Sequence, residues 1–260
     1  MTMLKRHAHG LIVLSFFLIL LPIAYLLMMP DLSKLKKENP KKTALMEYRA
    51  RTSKAKKKVY RIDQSWARYS KLSPYLIKAV LIAEDDKFWE HEGFDYEAIQ
   101  KAIEKDLKAK KFKSGGSTIT QQLARNLFLS PEKSLIRKIS EAVITWRMEK
   151  VLSKKRILEL YLNVAEWGEG IFGAEAASRH YFGTSSSELT PQEAARLAAI
   201  LPNPRRYSPV GDQRYVINRS NLIYSVMVRR GIVIPEVREE TEEDESFPST
   251  QSDPNQGLDP

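Results

Sequence analysis

Apolar residues are distributed along this chain in two ways. The first is one unbroken run, Leu11 to Met29, which contains no charged residue. About 20 such residues suffice to cross a bilayer as a helix. The second is an intermittent pattern from Val59 to Ile234, in which apolar positions recur at helical spacing between recognisable start and stop signals. Ser73-Pro74 opens a helix expected to run to about Trp89. Asp95 is placed to cap a second, Tyr96 to Lys110, with residues 111–118 as a loop. Gln121 to Phe128 reads as helical, and Ser130-Pro131-Glu132 opens a stretch in which Ile136, Ile139, Val143 and Trp146 share a face. A further helix starts at Ser153 and runs through Leu162. Gly168, Gly170 and Gly173 break the chain before another at Ala174 to Tyr181. Thr190-Pro191-Gln192-Glu193 is a capping pattern ahead of Ala194 to Leu201, and a last helix covers Tyr215 to Arg230. No run alternates with period two, so the fold is expected to be predominantly α.

Charge refines this division. The 260 residues carry a formal charge of +10, with Lys and Arg dense from Lys34 to Arg68 and from Lys101 to Lys113. A basic body suits an anionic partner, whether nucleic acid, a membrane surface or a phosphorylated substrate, and a solvated lysine-rich surface accounts for it equally. The absence of cysteine excludes disulfides and thiolate metal sites. The apolar run ends Leu-Leu-Met-Met-Pro-Asp, with no small-residue cleavage site, so it reads as an uncleaved anchor rather than a signal peptide. The expected organisation is a short cytoplasmic N-terminus (1–10), a transmembrane anchor (11–29), a basic juxtamembrane segment (30–58) acting as a linker or a lysine-rich helix, a globular domain (59–234) and an acidic tail (235–260). The tail is expected to be disordered. Lys34, Lys36, Lys37, Lys41 and Lys42 follow the span, and the positive-inside rule taken alone would put the body in the cytoplasm.

Several residues stand out against the pattern. Glu84 falls inside the apolar arc of Ile77, Val80, Leu81 and Phe88, where lost hydration would raise its pKa toward a value useful for proton transfer. A carboxylate at the edge of that arc, paired with a lysine, is the plainer reading. Glu141 lies one turn after Arg137 and Lys138, as in an ordinary surface ion-pair cluster or in a cationic grip on a diphosphate. Gly115-Gly116 is followed by the side-chain donors Ser117, Thr118, Thr120, Gln121 and Gln122, without the ending of a nucleotide-binding loop. His91 has no second histidine placed to share a metal and is expected to orient the loop after the first helix.

Taken together, these runs resemble the peptidoglycan glycosyltransferases, and the monofunctional biosynthetic transglycosylases in particular. The resemblance rests on Glu84-Asp85-Asp86-Lys87-Phe88-Trp89-Glu90-His91-Glu92-Gly93-Phe94-Asp95, on Gly115 to Gln122, on Arg137-Lys138-Ile139-Ser140-Glu141, on Lys155 to Asn163 with the glycine-rich run after it, and on Gly173 to Ala177 and Leu197 to Pro202. It implies a lysozyme-like helical domain with a larger head lobe and a smaller membrane-facing lobe. It also implies polymerisation of lipid II disaccharides into β-1,4 glycan on the outer side of the cytoplasmic membrane. Glu84 would deprotonate the acceptor hydroxyl, and Glu141 would lie near the donor diphosphate. Ser117, Thr118, Gln121 and Gln122 would line the donor groove, and Arg125, Lys133, Arg137 and Lys138 would contact diphosphate and sugar. Arg125 and Lys133 exchange the family's usual lysine and arginine, which grip phosphate differently. The implied partners are lipid II, the growing strand, the membrane and other cell-wall synthesis proteins, with no nucleic acid. No tightly bound cofactor is implied, and a divalent cation, Mg or Mn, is compatible with the diphosphate. Two rivals remain at this point: a lysozyme-like hydrolase that cuts glycan, and a membrane-anchored scaffold without activity.

Overall fold

The computed structural model describes residues 29–57, 59–109, 115–132 and 134–234. The anchor (except Met29), its orientation, Lys133 and the acidic tail therefore lie outside the described residues. Among the described residues no helix is long and apolar enough to cross a membrane.

The helices are α1 (Ala44–Ala55), α2 (Pro74–Glu84), α3 (Tyr96–Ala109), α4 (Ile119–Phe128), α5 (Leu135–Val151), α6 (Lys154–Val164), α7 (Ala174–Phe182), α8 (Pro191–Ile200) and α9 (Arg214–Arg229). The fold is predominantly α, as the pattern predicts. Helix α2 packs on α8 and α9, α4 packs on α5 and α6, and α1 lies on α4. One continuous core joins the two groups, with Leu76, Val80, Phe88, Leu123, Tyr161, Trp167 and Leu197 all buried within it. The caps follow sequence chemistry. Thr190 and Glu193 form a capping box at α8, and Thr118 and Gln121 form one at α4. Asp95 Oδ1 accepts from Ala98 N–H at 2.9 Å to start α3.

Three expectations change. Helix α2 ends at Glu84, not Trp89, because Asp85 leaves the helical region at φ −164° and ψ 75°. Its carboxylate instead accepts the Ile119 N–H at 2.9 Å, the first donor of α4, and meets His91 Nε2 at 2.8 Å. Helix α5 is capped by Ser134 rather than opened at Ser130, the Ser134 hydroxyl accepting from Arg137 N–H at 3.1 Å. A small sheet is also present, ordered β1 (Asp63–Gln64), β3 (Ile171–Phe172), β2 (Glu166–Gly168). β1 runs parallel and β2 antiparallel to β3, with an irregularity between Glu166 and Gly168. Strands of two or three residues are too short to show alternation in sequence. Gly173 follows β3 and caps α7 at φ +88°, where a Cβ would stand 2.9 Å from the Asn163 carbonyl oxygen.

The segment expected as a linker or a lysine-rich helix carries α1 and is packed against the domain. Leu32, Leu35, Leu45 and Met46 are buried, and Leu45 and Met46 of α1 rest on Phe172 with Tyr60 beside them. Large apolar side chains remain exposed on three helices: Tyr96, Ile103 and Leu107 on α3, Leu135, Ile136, Ile139 and Trp146 on α5, and Tyr215 and Leu222 on α9.

Candidate active site

Glu84 closes α2 with its side chain 11% exposed. Burial raises its pKa above the usual 4.5, and the Gln122 hydrogen bond together with the nearby charges of Arg219 and Arg125 oppose that rise. Its Oε2 accepts from Gln122 Nε2 at 2.9 Å, and the Gln122 Oε1 in turn accepts from the Tyr161 hydroxyl at 3.1 Å. The other oxygen, Oε1, is buried and carries no hydrogen bond. Arg219 Nη2 stands 3.7 Å from it while donating to the Ala83 carbonyl at 3.1 Å. The carboxylate lines a cavity of about 210 Å³ with Asp85, Asp95, Gly116, Ser117 and Thr118.

On the far side of Gln122 lies a second cavity, of about 300 Å³, lined by Arg125, Asn126, Arg137, Tyr161, Arg49 and Glu166 among others. Gln122 and Arg125 reach it because they sit one turn apart on α4. Glu141 is fully buried, contrary to the surface cluster its spacing allows. Arg137 Nη1 donates to its Oε2 at 2.7 Å, and Lys138 Nζ bonds Oε1. Lys138 Nζ also lies 3.5 Å from Ser117 Oγ, which connects the two sides of the site. Arg137 Nε is buried without a hydrogen-bond acceptor.

The sequence-selected residues thus divide. Glu84, Ser117 and Thr118 line the smaller cavity, and Gln122, Arg125 and Arg137 line the larger. Gln121 is turned to structural use: its Oε1 accepts the Thr118 N–H at 3.0 Å, while the Thr118 hydroxyl donates to the Gly93 carbonyl at 2.7 Å. Lys133 lies outside the described residues. Sequence reasoning missed Tyr161, Arg219, Arg49 and Glu166, which reach the site from elements distant in the chain. Glu166 carried a faint signal, being an acid amid the apolar and glycine residues after Asn163.

Among the described residues no group of three or more His, Asp or Glu side chains gathers as a metal site. Glu141, the acid that the resemblance puts beside the diphosphate, has both oxygens bonded to cations. That donor set does not fit a divalent ion.

Known proteins resemble this chain over most of its helical domain. The family described as Transglycosylase matches residues 51–228. The biosynthetic peptidoglycan transglycosylase of Dechloromonas aromatica is 54% identical over 169 residues, covering 65% of this chain and 73% of its own. That of Nitrosospira multiformis is 49% identical over 75% of this chain and 84% of its own. That of Herminiimonas arsenicoxydans is 45% identical over 81% of this chain and 93% of its own. On this match, which runs from within α1 to within α9, the chain belongs to the transglycosylase family.

Proposed function

We propose that this chain is a peptidoglycan glycosyltransferase that joins lipid II disaccharides into β-1,4-linked glycan strands for bacterial cell-wall synthesis. The observation that carries the reading is Glu84: a carboxylate buried beside a cavity, with one oxygen fixed and the other free of hydrogen bonds. Glu84 takes the proton of the acceptor 4-hydroxyl. The hydroxyl oxygen then bonds to the anomeric carbon of the donor, and the bond from that carbon to the diphosphate oxygen breaks. The electron pair leaves with polyprenyl diphosphate. Arg125, Arg137 and Lys138 hold the charge that develops there, and the unbonded Nε–H of Arg137 is available to it. Glu141 keeps Arg137 and Lys138 aligned rather than moving protons.

The domain is held on the outer face of the cytoplasmic membrane by the span 11–29, with residues 1–10 inside. The exposed apolar side chains on α3 and α5 support a smaller, membrane-facing lobe beside a larger lysozyme-like head. Lys34 to Lys42 oppose this orientation under the positive-inside rule, which long translocated domains often override. Incubating the chain with lipid II tests the reaction. A polymerase makes long glycan that Glu84→Gln does not, and a hydrolase shortens preformed strands instead. A reporter active only outside the cytoplasm, fused after residue 235, tests the topology, and its silence would reject it.

A further inference from the structure

Glu166 lines the larger cavity together with Arg49, Arg125 and Arg137, and its carboxylate is hydrogen-bonded to Arg49. It is a buried carboxylate in β2, its side chain 4% exposed. Arg49 of α1 donates to it twice, from Nε at 2.9 Å and from Nη2 at 2.7 Å. Both bonds converge on Oε2, although a guanidinium fork commonly takes one carboxylate oxygen with each arm. Oε1 is buried and accepts no hydrogen bond, and the Arg205 Nε nearest to it is 4.0 Å away. The Tyr60 hydroxyl is likewise buried and unbonded. Burial, and then the Glu166 charge, push that hydroxyl up to about 12, so it remains a proton donor at any physiological pH. Native proteins seldom leave such groups unmatched, and a ligand is one of the few reasons to do so.

The position of Glu166 says which part of a ligand it meets. Arg125 and Arg137, in the same cavity, suit a diphosphate. A carboxylate repels a diphosphate, so it marks where the substrate is uncharged and presents hydrogen-bond donors. On a disaccharide donor those are hydroxyl and amide N–H groups. We infer that Glu166, clamped through Oε2 by Arg49, is a further substrate-binding residue whose Oε1 accepts a hydrogen bond from a hydroxyl or amide N–H of the donor sugar. Arg49 is the positioning residue. It stands on α1, before the stretch that matches the family, so the juxtamembrane helix completes the wall of the groove. Thr43 starts that helix by accepting the Met46 N–H at 3.1 Å, and Leu45 and Met46 pin it to the domain.

This inference rests on the polymerase reading, and the test separates the two. The full-length chain, Glu166→Gln and Arg49→Lys are assayed on lipid II for KM, kcat and thermal midpoint. Polyprenyl diphosphate, which lacks the sugar, is the competing probe. Glu166→Gln keeps the shape but loses a charge-assisted bond, so KM should rise about tenfold. The change in kcat should be under about threefold, because a bond made equally in ground and transition states acts on KM. Inhibition by polyprenyl diphosphate should be unchanged. Arg49→Lys keeps the charge without the fork and should raise KM less. A Glu166→Gln enzyme with wild-type KM, or one that binds polyprenyl diphosphate weaker by the same factor as lipid II, overturns the inference and makes the pair a structural latch. Should Glu166→Gln fail to fold, Arg49→Lys decides by the same two measurements. A wild-type chain that makes no glycan overturns the polymerase reading and this inference with it.

Discussion

Glu84 and Glu141 are both buried acids on helices that border the same site, yet their surroundings differ. Glu141 has each oxygen bonded to a cation, Arg137 on one and Lys138 on the other. Glu84 has one amide hydrogen bond, an oxygen without one, and a guanidinium held off at 3.7 Å. Burial pushes the Glu84 carboxyl above its usual pKa of 4.5, and its neighbours fall short of cancelling that push. A paired acid of the first kind is a fixed counter-charge. An under-paired acid of the second kind can gain and lose a proton at modest expense. The difference lies in the partners, since burial is common to both.

The sharpest way to break this contrast is to remove each carboxylate's charge without changing its shape. Glu84→Gln should lower glycan synthesis by about 10²–10⁴, the usual range for losing a general base. The fold should survive, and the variant's stability should respond less to pH. A raised pKa in the folded state favours the protonated acid, so the wild type loses that contribution as pH rises from 4.5 through the folded value. Glutamine has no such loss, and the stability difference should move in its favour toward neutral pH. Thermal melts across that interval measure it. Near-normal turnover in folded Glu84→Gln would reject its role.

Glu141→Gln should act in the opposite sense. It leaves Arg137 and Lys138 without their counter-charge, and breaking a buried pair costs about 3–5 kcal/mol. Lys138 is half exposed, so we expect about 1–3 kcal/mol after allowing for solvent screening. The midpoint should fall, and use of the donor should fall with it. A stable Glu141→Gln with unaltered KM would mean that the two cations hold their places without it.

Much of this contrast is legible in the sequence, and the illegible part has a physical reason. The apolar arc around Glu84 is visible because helix α2 is regular, with Leu76, Ile77, Val80 and Leu81 buried. The pairing of Glu141 with Arg137 and Lys138 is visible because one turn of helix joins them. Its complete burial is not visible, because that depends on what packs over α5. The positions of Arg219 and Tyr161 are invisible for the same reason: they reach Glu84 and Gln122 from α9 and α6, and no local period encodes that meeting. The packing of residues 30–57 is hidden by lysines, whose charge masks the anchors Leu32, Leu35, Leu45 and Met46. Asn163 shows how a motif residue can be structural. Its side chain bonds both the N–H and the carbonyl of Ala67, at 2.7 and 2.8 Å, and so ties α6 to the segment after β1.

A milder change tests whether the free oxygen of Glu84 is tuned. The Arg219 charge lowers the Glu84 pKa, against the stronger effect of burial. Arg219→Met removes that opposition, so the Glu84 pKa should rise further and the ionised base should appear only at higher pH. The acid limb of kcat/KM should move up by about one pH unit or less, because a half-exposed guanidinium at this distance is screened by solvent. Above the limb the rate should approach that of the wild type. An unmoved limb with a lower plateau would make Arg219 a substrate contact rather than a tuning charge.

The smallest expected effect concerns the amide between the two cavities. Gln122 can offer either end of its side chain, and only Nε2 is a donor to the Glu84 carboxylate. The Tyr161 hydroxyl settles the choice by donating to Oε1 at 3.1 Å. Burial, with the negative charge of Glu84 nearby, holds that hydroxyl well above the ordinary tyrosine pKa, so it stays a donor throughout the working range. Tyr161→Phe keeps the ring, which is fully buried in the core, and removes only the bond. Losing one neutral hydrogen bond changes free energy by about 0.5–1.5 kcal/mol, or about 2–12-fold in an equilibrium. The amide would then spend part of its time turned over, with Oε1 against the carboxylate, which favours the protonated acid. The loss of activity should therefore be largest below the acid limb and fade above it. Pairing Tyr161→Phe with Gln122→Met in a double-mutant cycle isolates the effect, because the hydroxyl has no amide to orient once Gln122 is gone. Fully additive losses in that cycle would show that Tyr161 serves the core alone, and Glu84 would owe its single fixed oxygen to Gln122 without further support.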